Sequence, residues 1–342
     1  MNVSALGWLI TCLVIAGLFI FDFVTHARVP HAPTFRESAI WSAVYIGLAI
    51  IFGFVVMWIW GGTYGGEYFA GYVTEKALSV DNLFVFVIIM ATFSVPRENQ
   101  QKVLLIGIVM ALVMRGAFIA VGAAAINAYS WVFYLFGFFL IYTAVKLIRE
   151  HGHEEEIEEE RESKIIRLAK RFLPTTDEYH GGKLTTKIDG KRVVTPMLLA
   201  LVAIGFTDIL FALDSIPAIY GLTEEAYIVF TANAFALMGL RQLFFLIGGL
   251  LDRLIYLAYG LSIILAFIGV KLVLHALHEN TLGFVNGGEM VSVPEISTGL
   301  SLAVILGVLI VTAVASLLRT RHTDAKTASE TSQSETSQSE TS

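Results

Sequence analysis

Residues 75–86 read EKALSVDNLFVF, and residues 208–219 read DILFALDSIPAI. Each stretch has an acidic residue, five intervening residues, then an aspartate followed by a small polar residue. The pairs are Glu75 with Asp81-Asn82, and Asp208 with Asp214-Ser215. Both stretches lie in long apolar runs. The next run in each half carries one arginine, Arg115 and Arg241, and the run after that carries Val-Lys-Leu, at 145–147 and 270–272. Three matched features in one order mark an internal repeat. Each unit holds three apolar runs, and an odd number of crossings places the second unit upside down relative to the first. Inverted repeats of this kind build secondary transporters, with the substrate site near the bilayer midplane.

Composition agrees. The 342-residue chain is 56% apolar and only 15% charged, where a soluble domain is about 45–50% apolar and about 25% charged. A membrane helix needs about 20 apolar residues. Nine runs meet that need: 6–24, 39–60, 67–93, 101–125, 130–149, 196–220, 227–250, 254–276 and 297–318. The opening MNVSALGWL has no Lys or Arg, so the first run reads as a membrane helix rather than a secretory signal. The expected fold is an all-α polytopic membrane protein of about nine transmembrane helices, with an inverted repeat of two three-helix units. Its parts are two N-terminal helices (1–66), the first repeat (67–149), a charged linker (150–195), the second repeat (196–276), an outer loop and last helix (277–318), and a tail (319–342).

Basic residues orient this arrangement. Outside the runs, Lys and Arg fall at Arg28, Arg36, Arg97, Lys102, the 150–195 linker, Arg253, Arg319, Arg321 and Lys326. Nine crossings put all of them on one side, and loops 61–66, 126–129, 221–226 and 277–296 contain neither residue. The positive-inside rule places that side in the cytoplasm, with the N-terminus outside. The expected location is the bacterial plasma membrane. In the linker, Asp189-Gly190 suits a two-residue hairpin turn. His151 and His153 in HGHEEE read as part of a solvated charged segment rather than a metal site. The tail, SETSQSETSQSETS, reads as disordered. A net charge of −6 argues against nucleic acid as a partner. The single cysteine, Cys12, excludes an internal disulfide and any multi-thiolate metal site.

Chemistry resides in the apolar runs. Asp22, Glu75, Asp81, Asp208 and Asp214 all lie inside them, although a charge at a helix centre costs about 2.5–3.5 kcal/mol on insertion scales. Arg115 and Arg241 can neutralise some of these acids, and Lys76 can pair with an acid or reach water. Lys146 and Lys271 sit near span ends and can snorkel. Five acids against three bases leave a surplus that must bind protons or a cation. Carboxylates with Asn82 and Ser215 are hard oxygen donors that suit Mg²⁺, Ca²⁺ and Mn²⁺. Met90, Met110, Met114 and Met238 read as packing residues. In an ideal helix Glu75 and Asp81 lie about 120° apart, so convergence needs a helix break or several helices. Pro217 is expected to supply a break and release carbonyl oxygens. No P-loop, Ser/His or HExxH motif is present, so neither a self-contained P-loop pump nor an enzyme is expected.

The segments EYFAGYVTEKALSVDNLFVF, FTDILFALDSIPAIYGLT and TANAFALMGLRQLFFLIGG resemble the TerC/Alx family of integral membrane proteins. The resemblance covers roughly residues 5–320. It implies a bacterial inner-membrane protein linked to manganese export, tellurium-ion resistance or metal supply to exported metalloproteins. It also implies functional acids at Glu75, Asp81, Asp208 and Asp214, with Asn82 and Ser215 beside them and Asp22 in the first span. Many relatives carry a glutamate three residues before the position of Asp208, where this chain has Gly205. The expected function is export of a divalent cation, Mn²⁺ first, coupled to protons, with no tightly bound cofactor. Arg115 and Arg241 would position the carboxylates and limit the negative charge. The alternative is a membrane scaffold for a tellurium-resistance complex or the secretion machinery, with the acids serving as structural pairs.

Overall fold

The computed structural model describes residues 1–27, 33–150, 174–176, 178–179, 183–188, 191–247, 256–280, 282 and 285–339. Arg28, His151, His153, Asp189, Gly190 and Arg253 lie outside these. Ten α-helices are described. They are α1 (Ala5–Asp22), α2 (Phe35–Trp60), α3 (Gly62–Thr92), α4 (Arg97–Ala128), α5 (Val132–Glu150), α6 (Pro196–Tyr220), α7 (Ala226–Leu237), α8 (Leu240–Ile247), α9 (Leu257–His278) and α10 (Thr298–Ser339). A short antiparallel pair, β1 (Thr185–Ile188) with β2 (Lys191–Val194), precedes α6 and is closed by Ile188 opposite Lys191.

Eight spans among the described residues are long and apolar enough to cross a membrane, with α7 and α8 together forming one of them. The helix left out is α3. Its 31 residues reach about 46 Å, but it carries Glu67, Glu75, Lys76 and Asp81. Local chemistry sets several starts. Thr34 accepts from the backbone N–H of Glu37 to cap α2, Ser4 does the same for α1 through Gly7, and Pro196 opens α6. Large apolar side chains face outward, including Trp58 at 86% exposure and Val311 at 67%. Such a surface is fitted to hydrocarbon.

Connections gather at two ends, as alternating traverses require. At one end Thr223 donates to Glu67 (2.6 Å), His275 meets Glu224 (2.9 Å), and the amino terminus of Met1 contacts Glu225. At the other, Tyr179 donates to the carbonyl of Phe93 (2.6 Å), and the N–H of Tyr256 donates to Ser316 (3.1 Å). Helices α5 and α9 cross closely through glycines. A Cβ built on Gly269 would lie 2.8 Å from the carbonyl oxygen of Gly137, and one built on Gly137 would lie 2.8 Å from that of Gly269. Small residues at a crossing allow the backbones to touch, a common device in membranes.

Two breaks differ from expectation. Helix α6 runs unbroken through Pro217 to Tyr220. The proline sits in the last turn, so its missing N–H releases one carbonyl and the ring ends no further helix. The break falls instead in the next span, where Met238 (φ −60°, ψ 134°) and Gly239 (φ +80°) separate α7 from α8. Gly239 provides the left-handed backbone that other residues resist. The backbone of α10 also stays helical through the stretch expected to lack order, as far as Ser339. That stretch contains neither Gly nor Pro to stop it. The methionines pack: Met90 and Met238 are buried, while Met110 and Met114 line an apolar groove between α1 and α4.

Candidate functional site

Arg115, in the middle of α4, is wholly buried and organises the centre of the molecule. Its Nε donates to Asp208 Oδ2 (3.3 Å) and its Nη2 to Asp208 Oδ1 (3.1 Å), a two-pronged grip on one carboxylate. Its Nη1 contacts Glu75 Oε1 and donates to Ser215 Oγ (3.3 Å). Asn82, with its amide turned to suit both neighbours, accepts from Arg115 Nη2 (3.1 Å) and donates to the carbonyl of Leu78 (3.1 Å). Ser79 donates to Glu75 Oε1 (3.4 Å). One guanidinium thus joins α3, α4 and α6.

Its charge is incomplete. One arginine faces two carboxylates, so the trio carries an excess negative charge unless a proton or cation joins it. Glu75 Oε2 is buried and has no hydrogen-bond partner among the described residues. A buried acceptor without a donor is costly, and it is the atom here best suited to an added proton or cation.

The remaining predicted residues divide. Asp214 is partly exposed on α6 and makes no ion pair within 4 Å among the described residues. It lies six residues after Asp208, about 120° round the helix. Asp81 lies on α3, and its side chain is outside the described residues. Among the described residues, no group of three or more His, Cys, Asp or Glu is arranged to hold a metal ion. The guanidinium of Arg115 lies between Glu75 and Asp208, bonded to both.

Arg241, the repeat partner of Arg115, does a different job. It stands on α8, beyond the break, and donates to Asp22 Oδ1 (2.7 Å) and Gln101 Oε1 (2.6 Å). Asp22 Oδ1 also accepts from Tyr45 (2.8 Å) and Gln242 (3.3 Å). Asp22 ends α1, directly before a π-helical turn at Phe23–Ala27. This second network joins α1, α2, α4 and α8.

Lys76 is partly buried and makes no ion pair within 4 Å among the described residues. Its Nζ donates to the carbonyls of Ala236 (2.9 Å) and Met238 (3.2 Å), at the broken end of α7. Cations are favoured at a helix C-terminus, where carbonyls lack partners. Tyr45, Gln101, Gln242 and Asn233 escaped the sequence reading, because uncharged polar residues in apolar runs carry no period or spacing that marks them.

A polar pocket of about 330 Å³ opens at the end near Met1, lined by Tyr64, Glu67, Thr223, Glu224, Lys271 and His275, among others. Glu67 is eight residues from Glu75 on α3, about 12 Å along the axis. The pocket therefore lies about two turns from the Arg115 cluster. Gly205 is packed under Met110, whose methyl would be 2.3 Å from a Cβ at that position. A glutamate there needs Met110 to move.

Comparison with known proteins agrees with this architecture. The chain is 53% identical over 322 residues to an uncharacterized membrane protein of Mycobacterium tuberculosis, covering 94% of this chain and 81% of the relative. It is 39% identical over 308 residues to one of Myxococcus xanthus, covering 90% and 91%. It is 33% identical over 309 residues to an Escherichia coli K12 protein named as a membrane-bound redox modulator, Alx, covering 88% and 90%. No solved structure matches the chain. Residues 60–324 match the model of the integral membrane protein TerC family, and the chain belongs to that family.

Proposed function

We propose that the protein exports a divalent cation, Mn²⁺ first, from the cytoplasm in exchange for protons, and that the cation passes through the Arg115 cluster. The observation that carries this reading is the uncompensated carboxylate. Glu75 and Asp208 share one arginine, and Glu75 Oε2 is buried without a hydrogen-bond partner among the described residues. Oxygen donors of this kind suit Mn²⁺, Mg²⁺ and Ca²⁺. Asp81 and Asp214, each six residues along from its partner acid, would complete the donor set in a conformation where Arg115 withdraws. Alternating access would rock one three-helix unit of an inverted repeat against the other. Lysine and arginine placement supports a cytoplasmic linker in a bacterial plasma membrane, with the pocket near Met1 as the outer mouth.

A scaffold reading draws on the second network. Arg241 and Asp22 form a buried ion pair at 2.7 Å, as structural ion pairs do. A redox role, as the name of the Escherichia coli relative suggests, would act here through metal supply, since Cys12 alone cannot form an intramolecular thiol pair.

Flux into proteoliposomes separates these readings. Wild-type protein should move Mn²⁺ in response to a pH gradient. Asp208→Asn and the Asp81→Asn/Asp214→Asn pair, reconstituted equally, should not. Absence of Mn²⁺, Ca²⁺ and Mg²⁺ flux with folded wild-type protein would refute transport and favour the scaffold.

A further inference from the structure

The break between α7 and α8 has no evident local cause beyond Gly239. No proline lies in 227–250, and an uninterrupted helix would satisfy every backbone group of the span. Breaking it deprives the last carbonyls of α7 of their helical partners. Within a bilayer such groups must find another donor or an ion. Two of them, on Ala236 and Met238, turn to one point, where the Lys76 ammonium lies 2.9 and 3.2 Å away. Asn233 lies one turn before Ala236. It is wholly buried, and neither its amide oxygen nor its amide nitrogen has a partner. Asn233 and Ala236, three positions apart, lie on one side of α7.

We infer that this break is a binding site for a monovalent cation of ammonium or potassium size, built from the Ala236 and Met238 carbonyls, and that Lys76 fills it here with its own tethered ammonium. Rings of backbone carbonyls replace the hydration shell of K⁺ in selective channels, and unwound carbonyls hold coupling ions in transporters with broken helices. The negative end of the α7 dipole adds to the attraction. The site stands one residue from Glu75, so α3 links it to the Arg115 cluster. A free cation that displaces Lys76 would release α3 from α7 at the point where Glu75 grips Arg115. The inference does not depend on which ion that cluster carries.

The test is chemical rescue of Lys76→Ala. Full-length wild type and variant are melted in detergent in choline chloride, potassium chloride or ethylammonium chloride at equal ionic strength. In choline the variant should melt below the wild type. Potassium or ethylammonium should recover at least half of the lost melting temperature, with a saturable dependence on concentration, as ligand binding to the folded state requires. The wild type, whose Lys76 competes for the same carbonyls, should respond to potassium or ethylammonium only at concentrations well above those that rescue the variant. A variant loss that no cation recovers overturns the inference and leaves Lys76 as a helix cap. If Lys76→Ala fails to fold in choline, the yield of folded protein from extraction in each salt decides the same question. Recovery in potassium or ethylammonium supports the site, and failure in all three overturns it. Rescue without any wild-type Mn²⁺ flux would refute the transport reading alone. Flux without rescue would refute the cation site alone.

Discussion

Arg115→Met should be among the most damaging single substitutions in the chain, and its cost follows from the geometry. Arg115 donates to Glu75, Asp208, Ser215 and Asn82 while wholly buried. Methionine fills part of the volume but leaves two buried carboxyls facing each other. Removing one member of a buried ion pair costs about 3–5 kcal/mol, a large part of a total stability of about 5–15 kcal/mol. Asp208→Asn is milder. It keeps the shape, removes one of two charges facing one arginine, and weakens a charge-assisted grip that is worth about 1.5–3 kcal/mol. With both substitutions, one of the two carboxyls that Arg115→Met strands is already gone. The double variant should therefore lose less than the sum of its parts, by about 0.5–3 kcal/mol. Mixed-micelle denaturation followed by fluorescence of the five tryptophans measures all three. The reasoning fails if Arg115→Met is as stable as the wild type, if it loses less than Asp208→Asn, or if the two losses simply add.

Other consequences are directly measurable. Asp22→Asn should lower the melting temperature yet leave Mn²⁺ flux per folded molecule near the wild-type level, because the side chains seen to donate to Asp22, those of Arg241, Tyr45 and Gln242, are not those that hold Glu75 and Asp208; proteoliposome flux against melting checks this. Gly269→Leu should prevent the α5–α9 crossing, where even a Cβ would lie 2.8 Å from a backbone oxygen, and should cost more than the about 1–3 kcal/mol usual for overpacking, read as loss of folded protein on size-exclusion chromatography. Gly205→Glu should fold poorly alone and better together with Met110→Ala, which removes the methyl 2.3 Å from the new Cβ. In the 221–225 loop, the hydrogen bond from His275 holds the Glu224 carboxyl below the usual glutamate range. Its contribution is present above the ordinary glutamate value and is lost as pH falls through the lowered one, so melting should drop in acid and Glu224→Gln should flatten that drop.

The crossings were legible because nothing but a bilayer asks for so many long apolar runs, and basic residues kept to alternate loops. The surplus of intramembrane acid was also legible from charge counting alone, and so was partial neutralisation by Arg115 and Arg241. Which acid meets which arginine was not. Glu75 and Asp208 are separated by more than a hundred residues, and their meeting at Arg115 depends on how three helices pack. Pro217 misled because a proline strains only the turn before it, which makes an internal break only where the helix continues beyond, and here the helix ends three residues later. The true break rests on one glycine in LMGLRQ, and a glycine in an apolar run usually marks close packing, as at Gly137 and Gly269. Lys76 could be read only as a charge in need of a partner. The partner is a pair of carbonyls that exist as acceptors only because a different helix is broken.

That break also explains why two repeats so alike in sequence differ in their chemistry. Arg115 stands within an unbroken helix, so its guanidinium is carried to the middle of the molecule, between α3 and α6, where it meets both repeat acids. Arg241 follows the break and belongs to an eight-residue helix, where it finds Asp22 at the end of α1 and Gln101 at the start of α4 instead. One arginine is therefore shared by both halves, and the other serves the N-terminal helices. A shared arginine couples the halves: any event that pulls Glu75 away from Arg115, whether a proton on its carboxyl or a cation at its free oxygen, also alters the grip on Asp208. Two separate arginine–carboxylate pairs, one in each half, would let the units change state independently. With a single guanidinium between them, α3 and α6 must exchange partners together.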